Sequence, residues 1–370
     1  MRIGIDARLW NETGVGRYIR ALVGELGKID AVNEYKLFLL PREVSELQLP
    51  KNFEKVAAPI RWHSVAEQLK MPKVYKKAKL DLLHIPYFSV PLTTPQPFIV
   101  TIHDLTISHF ATGKATTQPL PLYALKRLGY LRVLRSAIER SAKIITVSQS
   151  VKNQILHEFN IPENKISVTY ESGEMEIKTK KELRVKLPAK YLLYVGNAHP
   201  HKNLERLIDA FTILHRSLPK LQLVLIGKHD YFYNRLQQFV YQKKLTDSVV
   251  FPGEVTNSEL HEWYSQAGVF VFPSLSEGFG IPGLEAMGSG CVVAASDIPV
   301  FHEVYGNAVH FFNERHTDSI SQALIELLND QKLRRTLKKA GFEQVQKYSW
   351  STMARKTIEI YESSARIRSH

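Results

Sequence analysis

One residue in the 370 is a cysteine, Cys291. A single thiol excludes an internal disulfide, so the fold has to be held by a core, and a reducing compartment is expected. The thiol sits in the apolar run Cys291–Ala295, where it reads as a small packed side chain. No stretch of about 18 apolar residues occurs, so nothing reads as a membrane-spanning helix. The chain passes directly into the strand-like Arg2–Asp6, leaving no room for a signal peptide, and a cytoplasmic location is expected. Internal repeats and low-complexity tracts are absent as well. One region is short of acid: residues 51–150 hold 15 Lys and Arg against 5 Asp and Glu.

The chain does have apolar substance, with 44% hydrophobic and 10% aromatic residues. At this length it fits two domains of about 150–200 residues each. The basic surplus is concentrated in residues 70–79 (Lys70, Lys73, Lys76, Lys77, Lys79) and 126–143 (Lys126, Arg127, Arg132, Arg135, Arg140, Lys143). Through the second cluster Leu122, Leu125, Leu128, Leu131, Leu134 and Ile138 recur at helical spacing. Such a helix can lie on an anionic membrane surface, or pack its apolar stripe on its own domain; the two readings are compatible. No nucleic-acid motif accompanies the charge, so nucleic acid is not expected as a partner.

Strand-like apolar runs alternate with helical patterns throughout, the signature of an α/β fold. The strands expected in the first half are Arg2–Asp6, Tyr35–Leu40, Leu80–Ile85, Phe98–His103 and Lys143–Ser148, with helices over Val15–Leu26 and Pro121–Ser141. In the second half strands are expected at Tyr191–Gly196, Gln222–Gly227, Ser248–Pro252, Gly268–Pro273, Cys291–Ala295 and Val309–Phe312. Helices are expected at Asn203–Arg216, Tyr231–Lys243, Asn257–Gln266, Asp318–Leu328 and from Trp350 to Arg366. The polar, charged stretch Glu171–Lys186 reads as a linker.

Three junctions between strand and helix carry candidate chemistry. Between the expected strand Gly268–Pro273 and the next helix the chain reads Glu277-Gly-Phe-Gly-Ile-Pro-Gly-Leu-Glu285. Glu277 falls in the turn and Glu285 about one turn into the helix, with side-chain-free amides between them; a polar ligand could meet a carboxylate, backbone N–H groups and a positive helix end together. Gly14-Val-Gly16 opens a helix after the first strand, a turn that suits a diphosphate or merely connects. Lys202 lies in what reads as the first turn of a helix, where a cation opposes the macrodipole unless an anion is bound there. His103 and Asp104 stand at the carboxyl end of a strand, where open α/β sheets bind ligands.

The stretch from Glu277 to Glu285, with Ala286-Met-Gly-Ser-Gly290, Ser296-Asp-Ile-Pro299 and Glu303-Val304 after it, resembles the E-x7-E signature of the retaining glycosyltransferases of family 4, the group 1 glycosyltransferases. The resemblance extends over nearly the whole chain. It implies the GT-B fold, two Rossmann-like doubly wound domains facing across a cleft: residues 1–172 completed by a helix at 350–370, a linker at 173–188, and a nucleotide-sugar-binding domain at 189–349. It further implies that Gly14 and Gly16 reach the donor's phosphates and that His103 contacts the transferred sugar, with Asp104 as an orienting or structural partner. Lys202, beside Gly196 and Asn197, would neutralise the pyrophosphate. Glu277, with the amides of Phe279 and Gly280, would hold the sugar's hydroxyls, Glu285 the ribose, and Gly196, Asn197, Gly278 and Ile281 would complete the donor-binding residues. Asn197 and His201 replace arginine or threonine of many members, making the phosphate site less cationic; His201 would add charge only below about pH 6.5.

A departing nucleoside diphosphate needs its negative charge stabilised, by a metal on Asp-x-Asp or by fixed cations and amides. Asp-x-Asp occurs nowhere in the chain, which leaves Lys202 and the helix ends and implies a metal-independent transferase without a cofactor. The segment from Ile3 to Tyr18 resembles mannosyltransferase-like members, so GDP-mannose is the first donor expected, with UDP-glucose or another UDP-sugar behind it. The expected acceptor is a glycan or polyprenyl-linked glycan. A sugar-nucleotide epimerase, or a non-catalytic nucleotide-sugar- or glycan-binding protein, is the alternative for the same fold.

Overall fold

The computed structural model describes residues 1–109, 120–175 and 187–366. These form two compact units, one of residues 1–109, 120–171 and 349–366 and the other from Ser172 to Tyr348. Residues 176–186 of the expected linker, the Leu122 side chain and the last four residues of the expected C-terminal helix lie outside the described part.

In the first unit the elements run β1 (Arg2–Asp6), α1 (Gly14–Ile29), β2 (Glu34–Leu39), α2 (Pro41–Glu46), β3 (Phe53–Ala57), α3 (Val65–Lys77), β4 (Leu82–Ile85), β5 (Phe98–Ile102), α4 (Thr106–His109), α5 (Leu120–Arg140), β6 (Lys143–Thr146), α6 (Gln149–Glu158) and β7 (Ile166–Val168). The seven strands pair in parallel, in the order β3-β2-β1-β4-β5-β6-β7. Every residue of β4 and β5 is buried, as expected where helices cover both faces of a parallel sheet. α1 turns Tyr18, Ile19, Leu22, Val23 and Leu26 into that core, the stripe a 3.6-residue period makes.

The second unit continues with β8 (Tyr191–Val195), α7 (Leu204–Ser217), β9 (Gln222–Ile226), α8 (Tyr231–Gln242), β10 (Val249–Gly253), α9 (Asn257–Gln266), β11 (Val269–Phe272), α10 (Ile281–Gly288), β12 (Val293–Ser296), α11 (Pro299–Tyr305), β13 (His310–Phe312), α12 (Thr317–Asn329) and α13 (Gln331–Val345). Its six strands are again parallel, ordered β10-β9-β8-β11-β12-β13. The last helix, α14 (Trp350–Arg366), belongs to the first unit, where it packs on α1 and β4. Strand order reverses between β1 and β4 in one sheet and between β8 and β11 in the other; loops leaving the carboxyl ends of such strands frame the ligand crevice of a doubly wound sheet.

Two expectations change here. Glu171 is not linker: it closes the first unit with its side chain 6% exposed. The apolar stripe of α5 is core only toward its end. Leu134, Ala137 and Ile138 are buried, while Leu125 and Leu128 are 67% and 64% exposed. On α3, Val65 and Leu69 are also out, among the exposed Lys70, Lys73, Lys76 and Lys77. No described helix is long and apolar enough to cross a membrane.

Candidate active site

In the second unit the loops after β8 and β11 meet at the switch point. Leu275 N–H donates to the His201 carbonyl at 2.7 Å. Asn203 bridges further, its side-chain amide donating to the carbonyls of Pro273 at 3.0 Å and Glu314 at 2.8 Å. Asn203 has φ 60°, a left-handed conformation that Asn tolerates better than most residues. These bonds bring together two residues 75 apart in sequence: Lys202 Nζ lies 2.5 Å from Glu277 Oε1. Ser274 Oγ donates to the same oxygen at 2.7 Å. The ammonium also stands 5.9 Å from the centre of the Phe272 ring. Both ionic side chains keep a little solvent contact, 14% for Lys202 and 12% for Glu277.

Lys202 is not in the first turn of a helix, contrary to the sequence expectation. It ends a short 3-10 turn, Pro200–Lys202, and α7 starts two residues later. Its neighbour His201 adds no charge: burial, then the nearby Lys202 and His199, push its pKa down to about 2.

Gly280 is the N-cap of α10 at φ 101°, and a Cβ there would fall 2.2 Å from Tyr305 Oη. That hydroxyl donates to the Gly280 carbonyl at 2.5 Å, so glycine is required by packing and by backbone alike. Phe279 is buried with its ring edge-on to Tyr348, and Ile281 begins the helix. Gly278 lies in the turn with Glu277 and Ser274. Glu285 is 3% exposed, and Tyr264 from α9 donates to its Oε2 at 2.9 Å. Gly196, expected among the donor-binding residues, bonds within the fold: N–H donates to the Ile226 carbonyl at 3.0 Å and C=O accepts from Tyr233 at 2.8 Å. Asn197 shapes the turn, its Oδ1 accepting from His199 N–H at 3.3 Å and its carbonyl from Tyr194 at 2.7 Å.

In the first unit His103 follows β5. Its Nε2 is 3.1 Å from the Pro86 carbonyl, its Nδ1 is 3.3 Å from Glu171 Oε1, and Tyr18 stands edge-on with ring centres 5.0 Å apart. The partner of this imidazole is therefore Glu171. Asp104 accepts from Thr106 N–H at 2.8 Å instead, the bond of a carboxylate at the start of α4. The Gly-x-Gly pair divides: Gly14 is exposed with open space at its Cβ position, whereas a Cβ on Gly16 would fall 2.6 Å from the Leu9 and Trp10 carbonyls.

Sequence reasoning passed over a buried ion cluster beside this site. Arg8 Nη2 lies 2.6 Å from Asp6 Oδ2 and 2.7 Å from Glu67 Oε1, while its Nη1 donates to Ile60 O at 2.9 Å. Tyr75 donates to Asp6 and Ser89 to Glu67, at 2.6 Å and 2.7 Å. Burial works to raise the Asp6 pKa, but Arg8 and its bonds hold it below the usual carboxylate value; at Glu67 burial prevails and raises it. A polar residue two positions after another, as in Asp6-Ala-Arg8, is too common a pattern to announce this.

The sequence profile of the group 1 glycosyl transferases matches residues 175–344, and that of glycosyltransferase family 4 matches residues 13–171. Over 275 residues the chain is 32% identical to the O-antigen chain mannosyltransferase RfbU of Salmonella typhimurium, covering 74% of this chain and 72% of that one. It is 25% identical over 382 residues to the O-antigen chain mannosyltransferase B of Escherichia coli, covering 95% and 96%. The solved sucrose-phosphate synthase of Thermosynechococcus elongatus superposes with a TM-score of 0.80 at 20% identity, over 98% of each chain, a likeness of GT-B fold. Two parallel-sheet α/β domains with these matches define a glycosyltransferase. The chain belongs to the group 1 glycosyltransferases, family 4.

Proposed function

We propose that this glycosyltransferase moves a hexose, mannose first, from a nucleotide-diphosphate sugar to a glycan or polyprenyl-linked glycan, with retention of anomeric configuration and without a divalent metal. The observation that carries the reading is the Lys202–Glu277 pair at the switch point of the second sheet. Lys202 and Ser274 both bond Glu277 Oε1, which leaves Oε2 to accept from a sugar hydroxyl. An ammonium has three donors, so Lys202 can keep its carboxylate and still bond a phosphate oxygen. As the C1–O bond to the diphosphate breaks, positive charge grows at the anomeric carbon and negative charge on the leaving oxygen, which Lys202 and the N-terminus of α10 stabilise. The acceptor oxygen attacks from the same face and passes its proton to the departing phosphate. His103, fixed from three sides, contacts the transferred sugar.

The mannosyltransferase names of the two relatives support mannose, and with it GDP-mannose as first donor; a UDP-sugar is the second. The exposed Val65, Leu69, Leu125 and Leu128 among lysines and arginines support seating on an anionic lipid surface. A melting-temperature panel of GDP, UDP, ADP and their sugars, run in EDTA, tests the core of the reading. A shift with one nucleotide that vanishes in Lys202→Ala supports it and names the base. No shift with any nucleotide overturns it. Anomeric proton couplings of the product test retention, and sedimentation with anionic against neutral vesicles tests the lipid surface.

A further inference from the structure

We infer that the C-terminal helix α14 orients the imidazole of His103 through a buried chain of polar groups, Tyr361–His84–Thr101–Tyr18, which makes Tyr361 and His84 positioning residues for the transfer. This rests on the proposed contact of His103 with the transferred sugar.

His84 is the third residue of β4, in the run Leu-Leu-His-Ile, and has no solvent exposure. An imidazole is costly in such a place unless both nitrogens are bonded. Both are: Nδ1 is 2.7 Å from Tyr361 Oη on α14, and Nε2 is 2.8 Å from Thr101 Oγ1 on β5. Burial, then the neighbouring His103, push the His84 pKa down to about 3, so the ring is neutral, with one nitrogen donating and the other accepting. The hydroxyl of Thr101 lies 3.4 Å from Tyr18 Oη, which also has the Thr169 and Thr357 hydroxyls beside it. Tyr18 is fully buried and sets its ring at 85° to that of His103.

Chain continuity ties these groups to the site. Thr101 stands two residues before His103, which directly follows β5, and His84 two before Pro86, which directly follows β4 and whose carbonyl meets His103 Nε2. The His84–Thr101 bond therefore cross-links β4 and β5 one step behind the groups that hold the imidazole. Three groups that meet His103 are then fixed: Pro86 O just after β4, Glu171 after β7, and Tyr18 from α1, held in turn by the Thr101 hydroxyl. Packing alone would be served by leucine at 84 and phenylalanine at 361, at no polar cost.

The test uses the full chain with two variants. Tyr361→Phe removes one hydroxyl and leaves His84 with an unpaired nitrogen. The double variant Tyr361→Phe/His84→Leu removes the unpaired nitrogen and leaves Thr101 its Tyr18 contact, which restores part of the lost stability while leaving the chain cut. In both, kcat is expected to fall about tenfold, the order of one lost hydrogen bond, with donor KM within about twofold of the parent. In both, the ring NMR resonances of His103, assigned by difference from His103→Gln, are expected to shift. A kcat that returns with stability in the double variant, or His103 ring resonances that stay in place, overturns the inference. If the parent transfers to no acceptor, the proposed function fails, and the ring resonances still decide whether the chain positions His103.

Discussion

Each unit brings a cluster of opposite charges to the carboxyl end of its first strand, and the two clusters are built in opposite ways. After β1, Arg8 is 3% exposed and its guanidinium is consumed by Asp6, Glu67 and the Ile60 carbonyl; Tyr75 and Ser89 occupy the carboxylates from the other side. After β8, Lys202 meets one oxygen of Glu277 and both side chains touch solvent. The first arrangement is buried and bonded within the fold, and it fastens α3 and the 60–63 loop to the end of β1. The second is a pair with capacity left over. Burial and internal bonding, more than charge or position at a switch point, separate the structural cluster from the candidate active one.

The comparison is broken most severely by removing Arg8. Arg8→Met leaves Asp6 and Glu67 buried without their cation, and stability is expected to fall by about 3–5 kcal/mol. Urea denaturation reads this directly. A loss below about 1 kcal/mol, together with lost nucleotide binding, would move the cluster from scaffold to site.

Lys202→Ala is expected to behave the other way. Transfer should drop about 10²–10³-fold, the cost of removing one fixed charge-stabilising group, while stability should fall by less than in Arg8→Met, because Glu277 keeps its Ser274 hydrogen bond and some solvent contact. Steady-state kinetics and a melt on the same preparation check both halves. Full activity in this variant would remove the phosphate role from Lys202.

The two glycines of the first unit sharpen the contrast at smaller scale. Gly16→Ala drives a Cβ against two backbone carbonyls that have no rotamer in which to retreat, a strain of about 1–3 kcal/mol. Gly14→Ala meets nothing and should change stability by less than about 1 kcal/mol. If Gly14→Ala raises the donor KM while Gly16→Ala acts on stability alone, the ligand role of the turn belongs to Gly14.

The sequence makes legible what repeats locally. The central strands of the second sheet, β8, β9, β11 and β12, stand out as apolar runs because they are buried along nearly their whole length. The half-exposed β10 and β13 beside them still carry enough apolar residues to be read. In the first sheet β3 and β7 escape notice: Phe53–Ala57 is a half-exposed edge strand carrying Glu54 and Lys55, and Ile166–Val168 is three residues long. α3 is hidden by Pro72 and five lysines between 70 and 79, and α13 by its dense charge. At the candidate site the residue types are visible in the sequence and their partners are not. Lys202 meets Glu277 because of bonds through Asn203 and Leu275. Glu171 looks like linker until His103, 68 residues earlier, is placed against it. Contacts of that sequence separation are fixed by strand order, which local pattern does not encode.

The last expected effect, absent at neutral pH, concerns histidines held neutral in both units. Burial, then Arg8, lowers the His63 pKa to about 4; burial, then His103, takes His84 to about 3; His201 stands at about 2. Unfolded, each returns to about 6.5. Above that pH both states are neutral and these groups leave stability unchanged. Below it the unfolded chain takes up protons that the folded chain refuses, so stability falls with pH, by at most about 1.4 kcal/mol per pH unit for each histidine, down to its folded pKa. His84→Gln should flatten the limb between about pH 6 and 4.5 by one such increment, and His201→Gln by another, read as urea midpoints across that window. At pH 7.5 the His201 variant should bind nucleotide like the parent, since a neutral side chain beside Lys202 contributes no charge to be lost. A nucleotide affinity that collapses in His201→Gln at that pH would mean that the imidazole touches the ligand, and the phosphate site would extend from Lys202 to the whole Pro200–Lys202 turn.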